Sequence, residues 1–215
     1  MRQEEHFDIY DEQGNHLGEA PRSVVHAQGY WHQTFHCWIV KQEREADTVT
    51  DWLLFQKRHP DKDTFPCLFD ITAAGHLAAG ETVEDGIREP QEELGIDVSW
   101  EQLHPLGMIP YSIQSGAIID REMCHVFLLL NELPLDAYRP QKEEVTGLVQ
   151  IRLEEAVALF HGQVDEVSGT GLERQDEEAP LLAKSFTLRK EDFVPHGNDY
   201  YSKVLEGIRR ALSTR

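Results

Sequence analysis

Cysteine is scarce in this chain. Cys37, Cys67 and Cys124 make an odd count without the paired spacing of a metal knuckle. That excludes a disulfide framework, and reduced thiols imply a cytoplasmic setting. Basic residues are few beside acids: 20 Lys and Arg against 39 Asp and Glu, a formal net charge of −19. Such a field repels bare nucleic acid and anionic membrane surfaces, so neither is expected as a partner. An anionic small molecule would need a local basic patch and a metal to enter. Long apolar runs are missing as well. No stretch reaches transmembrane length, and the opening M-R-Q-E-E-H-F-D has no apolar signal segment. Internal repeats and low-complexity tracts are absent.

What is present is ordinary for a globular protein, 40% hydrophobic and 27% charged. At 215 residues the chain reads as a single domain able to bury a sizeable core. Residues 1–30 read as an N-terminal hairpin extension. Phe7, Ile9 and Tyr10 form one strand, Glu12-Gln13-Gly14-Asn15 the turn and His16-Leu17-Gly18 the return. P-R-S-V-V-H-A-Q-G-Y-W-H is a short helix or loop. Strands are expected at 34–40 and 51–58, joined by a polar turn over 42–50. Further strands are expected at 106–113, 122–130 and 147–153, and a helix at 153–161 with Leu153, Ala156, Val157 and Phe160 inward. Residues 162–180 are polar and read as loop. A last helix has Tyr201, Val204, Leu205, Ile208 and Leu212 on one stripe, completing a C-terminal segment over 162–215. This order fits the α/β class, a mixed β-sheet sandwiched between helices (α/β/α).

The chain is organised around Asp70 to Trp100, centred on R-E-P-Q-E-E-L-G-I at 88–96. On a helix, Glu89, Glu92 and Glu93 fall within one ~100° arc. Three carboxylates on one face repel unless a cation sits between them, and hard oxygens suit Mg²⁺ or Mn²⁺. An acidic face alone is common in an acidic protein. The flanks add more. Thr82 with Asp85 makes a weak capping box, and Gly95 after Leu94 is a stop signal. This loop–helix–loop resembles the Nudix box, G-x5-E-x7-R-E-U-x-E-E-x-G-U with U aliphatic, through Gly75, Glu81, Arg88, Glu89, Glu92, Glu93, Gly95 and Ile96. Two positions depart from it. The spacer before Arg88 is one residue short, and Pro90 stands at the aliphatic position. A mid-helix proline costs ~3 kcal/mol, so the helix either kinks or starts late. Glu81 and Arg88 remain seven apart, about two turns, and their ion pair is expected to survive.

A second constellation lies outside the box. His26, His32 and His76 accompany Asp120 and Glu122, which point the same way on an extended strand. Histidines with acids can hold a transition metal or Zn²⁺. The order H…H…A-G-H…D-R-E-M-C-H-V-F is similar to the isopentenyl-diphosphate isomerase branch of the Nudix superfamily. The resemblance covers roughly residues 4–160. It implies a metal held by His26, His32, His76, Asp120 and Glu122, with Asp120 standing where that branch has glutamate. It also implies Mg²⁺ at Glu93, and a diphosphate gripped by Arg22, Arg58 and Lys62. One departure is decisive. Ala74 stands where the isomerases carry a proton-transferring cysteine. Cys67 and Cys124 read as buried apolar residues instead.

The resemblance therefore implies a metal-dependent pyrophosphohydrolase acting on a small-molecule diphosphate joined to some group X, which the sequence does not name. Glu89, Glu92 and Glu93 are the expected metal ligands, and Glu81 pairs with Arg88. Glu143 or Glu144 is the candidate carboxylate outside the box, with Glu144 placed in the catalytic set. Trp31, Tyr30 and Trp52 fit core and substrate wall equally. An isopentenyl-diphosphate isomerase-like enzyme and a non-catalytic Nudix-like ligand-binding module are the rival readings. Monomer and homodimer both stay open.

Overall fold

The computed structural model describes residues 4–176, 178–196 and 198–214, and in it the chain opens with a hairpin. Residues 1–3 of the expected extension and positions 177, 197 and 215 of the C-terminal segment lie outside the described residues. Strands β1 (His6–Tyr10) and β2 (His16–Pro21) pair antiparallel. Asp11 closes their turn, its Oδ1 accepting the Gln13 and Asn15 amides at 2.9 and 2.8 Å. Helix α1 (Arg22–Gln28) follows and stops at Gly29, which takes the left-handed conformation at φ 67°.

Strand β3 (Trp31–Glu45) is the spine of the molecule, and β4 (Thr48–Arg58) folds back along it. The turn is Ala46 and Asp47, not the polar stretch 42–50 expected from composition. Those polar residues are strand because they pair across the ribbon. Gln42 Nε2 donates to Asp51 Oδ1 at 2.7 Å, and Trp52 Nε1 to Glu43 Oε2 at 2.9 Å. Then come β5 (Phe69–Asp70), β6 (Ala73–His76), a 3₁₀ turn at Val83–Ile87 and α2 (Arg88–Leu94). Strands β7 (Leu103–Ser115) and β8 (Ile118–Leu130) are both longer than the apolar pattern implied. Strand β9 (Val145–Arg152) leads into α3 (Leu153–Phe160), whose four expected inward residues are buried.

The expected loop over 162–180 is corrected. It contains β10 (Val167–Glu173), which pairs with β9 and with β11 (Leu182–Leu188). The cause is close approach. A Cβ at Gly171 would meet the Leu148 carbonyl oxygen at 2.0 Å. Glycine reads as loop in sequence, but here it lets two strands meet. Helix α4 (Asn198–Ser213) closes the chain. Tyr201, Val204, Leu205 and Ile208 of its stripe are buried, and Leu212 is partly so.

The eleven strands among the described residues form one sheet, with β11-β10-β9-β4-β3-β1-β2 as its main path. Strand β8 lies parallel to β3 from Trp31–Arg121 to Val40–Leu130. Alternation along β3 feeds two cores. Trp38 and Val40 pack with Phe55, Phe160, Val204 and Ile208 beneath α3 and α4. Phe35, Cys37 and Ile39 pack with Leu94 and Ile96 beneath α2. Helices thus cover both faces of a mixed sheet, the α/β arrangement expected.

The detail that matters for function is a divergence. Strand β4 pairs β3 only from Leu54 outward, and β6 takes its place beside residues 34–37. Beyond that point β4 pairs β5. A cavity opens where the strands part.

Candidate active site

The loop after β6 carries α2 to the mouth of this cavity. Thr82 donates from its amide and its hydroxyl to Asp85 Oδ2 at 2.7 and 2.8 Å, fixing the entry. The first turn is 3₁₀ because the chain must press on β3. A Cβ at Gly86 would stand 2.5 Å from Phe35 Cβ. The α-helix proper begins at Arg88, so of the two outcomes expected for Pro90 the late start is realised. Pro90 sits in the first turn, where an amide has no intrahelical acceptor anyway. Gly95 ends the helix at φ 68°, its amide returning to Gln91 O at 3.0 Å.

Glu89 and Glu93, one turn apart, are buried and line the cavity, while Glu92 sits exposed at its rim. Glu93 Oε2 accepts the Gln56 Nε2 and the Ala74 amide, each at 3.0 Å. Gly75 makes room for Glu89, since a Cβ there would lie 2.1 Å from the Glu89 carboxyl carbon. Burial pushes the Glu89 carboxyl up to about 7, against the pull of Arg88. Burial, with Glu89 adding, pushes Glu93 up to about 8. Two buried carboxyls held this high mark a site short of positive charge.

Arg88 braces the loop. Its guanidinium lies 2.9 Å from Glu81 Oε2 and 3.2 Å from Glu89 Oε1, and donates to the His76 carbonyl at 3.0 Å. The ion pair with Glu81 therefore forms despite the short spacer. Glu81 in turn accepts the Ala78 amide at 2.7 Å.

The cavity measures about 650 Å³, and Arg22, Arg58 and Lys62 all line it. Each already has an acidic partner. Arg58 donates to Asp70 Oδ2 at 2.8 Å and to the Thr64 carbonyl at 2.9 and 3.1 Å. Arg22 lies 3.2 Å from Glu5 and 3.3 Å from His76 Nδ1. Lys62 pairs with Glu144, and burial lowers its ammonium from the usual lysine range. Glu144 faces the cavity, whereas Glu143 is exposed and does not line it.

The second constellation converges. His26, His32, His76 and Asp120 each offer a ligand atom, and these lie within 4.8 Å of one another. Asp120 Oδ1 is 3.4 Å from His32 Nε2 and 3.6 Å from His26 Nε2. All three Nε2 atoms and that Oδ1 are buried without a hydrogen-bond partner among the described residues. Four convergent orphans are costly to leave unpaired, and a metal ion would satisfy all four. Burial pushes His26 down to about 4 and Asp120 up to about 8, which favours the neutral form of each. Burial lowers His32 and His76 as well. Glu122 stands beside the group, Oε1 being 3.9 Å from His76 Nε2.

Some neighbours escaped the sequence reading. Asp70 lies 2.6 Å from His196 Nε2 as well as on Arg58, and both line the cavity. His196 comes from the tail, 126 positions on, where no local pattern marks it. Tyr111 and His36 also line the cavity. Cys67 is corrected: it is exposed, in a turn at φ 65°, although Cys124 is buried as expected. Tyr30, Trp31 and Trp52 stay off the cavity wall, and Trp52 packs under Arg152 at 5.5 Å.

The NUDIX domain family matches residues 31–168, which hold both the α2 carboxylates and strand β8. The chain belongs to the Nudix hydrolase family. An uncharacterized Nudix hydrolase of Clostridium acetobutylicum is 42% identical over 206 residues, covering 96% of this chain and 98% of that protein. Nudix hydrolase 3 of Arabidopsis thaliana is 35% identical over 158 residues, which are 71% of this chain but 20% of that longer protein. The isopentenyl-diphosphate Delta-isomerase of Cutibacterium acnes is 28% identical, over 81% of this chain and 87% of its own length. A crystal structure from Deinococcus radiodurans shares the Nudix fold at TM-score 0.53 and 19% identity, covering 74% of this chain and 90% of that one. Similarity thus extends beyond the matched domain, into the segment that supplies β11 and α4.

Proposed function

We propose that this Nudix hydrolase is a pyrophosphohydrolase that cleaves a small organic diphosphate with Mg²⁺ or Mn²⁺. The observation that carries the proposal is the pair of buried carboxyls at Glu89 and Glu93, facing one cavity with Arg22, Arg58 and Lys62. Their hard oxygens, with Glu92 at the rim, fit a divalent cation better than a proton each. A cation bound there would polarise phosphate oxygens and lower the pKa of a water. The chain's own side chains do the rest. Gln56 and the Ala74 amide hold Glu93 in place. Arg88 and Glu81 anchor the loop that aims α2. The cations of the wall would offset the charge of a diphosphate, and Glu144, which lines the cavity beside Lys62, is the carboxylate we assign to receive a proton from water. Three free thiols and the acidic surface agree with a cytoplasmic enzyme working on a small molecule.

The isomerase-like reading keeps one favourable observation, the orphaned atoms of the histidine group. Against it, Ala74 contributes only a main-chain amide, already given to Glu93, and has no side-chain proton. The cavity wall is also rich in polar groups such as Thr34, His36, Gln56 and His196, an unfavourable surface for an isoprenoid chain. Nucleoside, sugar, coenzyme and isoprenoid diphosphates, each supplied with Mg²⁺ or Mn²⁺ and assayed for products, decide the matter. The expected result is metal-dependent hydrolysis of at least one, with isopentenyl and dimethylallyl diphosphates left unconverted. Robust isomerisation with no hydrolysis product from any of them would reverse the assignment.

A further inference from the structure

A chain of hydrogen bonds runs from Trp38 of β3 to α4, back to β3 and on to β8, ending at the cavity wall. Trp38 Nε1 can only donate, and it does so to Tyr200 Oη at 3.2 Å. The Tyr200 hydroxyl, having accepted, is free to donate to His36 Nδ1, 2.7 Å away. In the tautomer where it does so, the His36 proton sits on Nε2. From there it reaches Thr34 Oγ1 at 3.1 Å, and the Thr34 hydroxyl donates to Glu122 Oε2 at 3.3 Å. His36 Nε2 itself lies 3.5 Å from the same oxygen, and Cys124 Sγ donates to it at 3.4 Å. Every member is buried. One oxygen of Glu122 thus collects all these donors, and the other is left on the side of His76.

We infer that Tyr200 and His36 are positioning residues, which fix the orientation of Glu122 so that Oε1 completes the His26, His32, His76 and Asp120 site. The inference rests on the reading of that group as a metal site. It gives α4, which lies outside residues 31–168, a part in a site whose ligands lie mostly within them. Donors behind a ligating carboxylate set its direction, and their loss commonly weakens metal binding 10–100-fold. Without the Tyr200 hydroxyl, His36 can move its proton to Nδ1. Its Nε2 then presents a lone pair towards Thr34 and Glu122, and the chain of donors is broken.

The test is a titration of the full chain with Co²⁺, read by visible absorption and by calorimetry. His32→Ala should abolish the signal, which identifies the site. Tyr200→Phe keeps the ring and should weaken Co²⁺ binding about 10-fold or more. Tyr201→Phe is the control on the same helix. Its hydroxyl donates to the Val194 carbonyl at 2.8 Å, away from Glu122, and binding should stay within about twofold. If Tyr200→Phe fails to fold, His36 variants serve: His36→Gln, which retains an N–H donor towards Glu122, should bind more tightly than His36→Leu. Unchanged binding in Tyr200→Phe, equal weakening in Tyr201→Phe, or equal binding by the two His36 variants would overturn the positioning role alone. No His32-dependent signal in the unmodified protein would overturn the metal site, and the positioning role with it.

Discussion

Glu93 is a buried acid and, in the function proposed above, also a metal ligand, and the two roles respond differently to substitution. Glu93→Gln preserves shape and keeps an oxygen for the Gln56 and Ala74 donors. Hydrolysis should fall ~10²-fold or more, because the charge that would hold the cation is gone. The pH dependence of stability gives an independent readout. In the cation-free protein the folded-state values of Glu89 and Glu93, about 7 and about 8, lie above the ordinary 4.5. The folded state therefore binds more protons between these limits. Their contribution to stability is full below about 4.5 and is lost as pH rises to about 8. Thermal melts in chelator should decline across this window, and Glu93→Gln should flatten the decline. A flat profile for the unmodified protein would show that these carboxyls are not held in the protonated form. Gly75→Ala tests the same pocket by sterics. Its Cβ would stand 2.1 Å from the Glu89 carboxyl carbon, so Glu89 must turn away. Activity should drop with the fold retained, as judged by circular dichroism.

At the level of the element, α2 shows how a helix accommodates a residue that breaks helices. By starting at Arg88 it puts Pro90 where no amide is needed. Pro90→Ala should change stability by no more than about 1 kcal/mol. Gly86→Ala should cost more, about 1–3 kcal/mol, because its Cβ runs into Phe35 of β3, a side chain with no room to retreat. Urea unfolding of the two variants measures the order, and a larger loss at Pro90 would contradict this account of the helix start. The same contact explains the 3₁₀ geometry of Val83–Ile87. The caps were legible because they are local: Thr82 with Asp85, and Gly95 after Leu94, sit within a few residues of what they cap.

Across the whole molecule, α4 completes the larger core. Its buried face packs with Trp38, Phe160 and Phe193 in the larger core. Tyr201 stacks on Phe160 with ring centroids 3.8 Å apart. Ile208 is fully buried in the same cluster, so Ile208→Ala should destabilise the protein by about 2–5 kcal/mol in equilibrium unfolding. A chain ended at residue 168 would lose this face entirely and expose Trp38, Phe55 and Phe160. It should fail to give a cooperative melt, and a cooperative transition at ordinary temperature would show that the matched domain folds without its tail.

The sequence by itself determined what is short-range. Periodicity marked β3, α3 and α4, and the spacing within 75–96 identified the box, because each of those signals lies within two or three turns of chain. Composition alone misjudged β10, whose glycines serve a neighbouring strand rather than a loop, and the polar arms of the β3–β4 hairpin, which are strand only because each supplies the other's partner. The tertiary structure alone decided which groups meet. Asp70 and His196 lie 126 positions apart, and Tyr200 and His36 lie 164 apart. Their types are unremarkable in isolation, and their significance arises only when α4 is folded onto the sheet. Orphaned Nε2 atoms, raised carboxyls and a cavity between diverging strands are likewise properties of burial, and burial is set by packing rather than by any one stretch of chain.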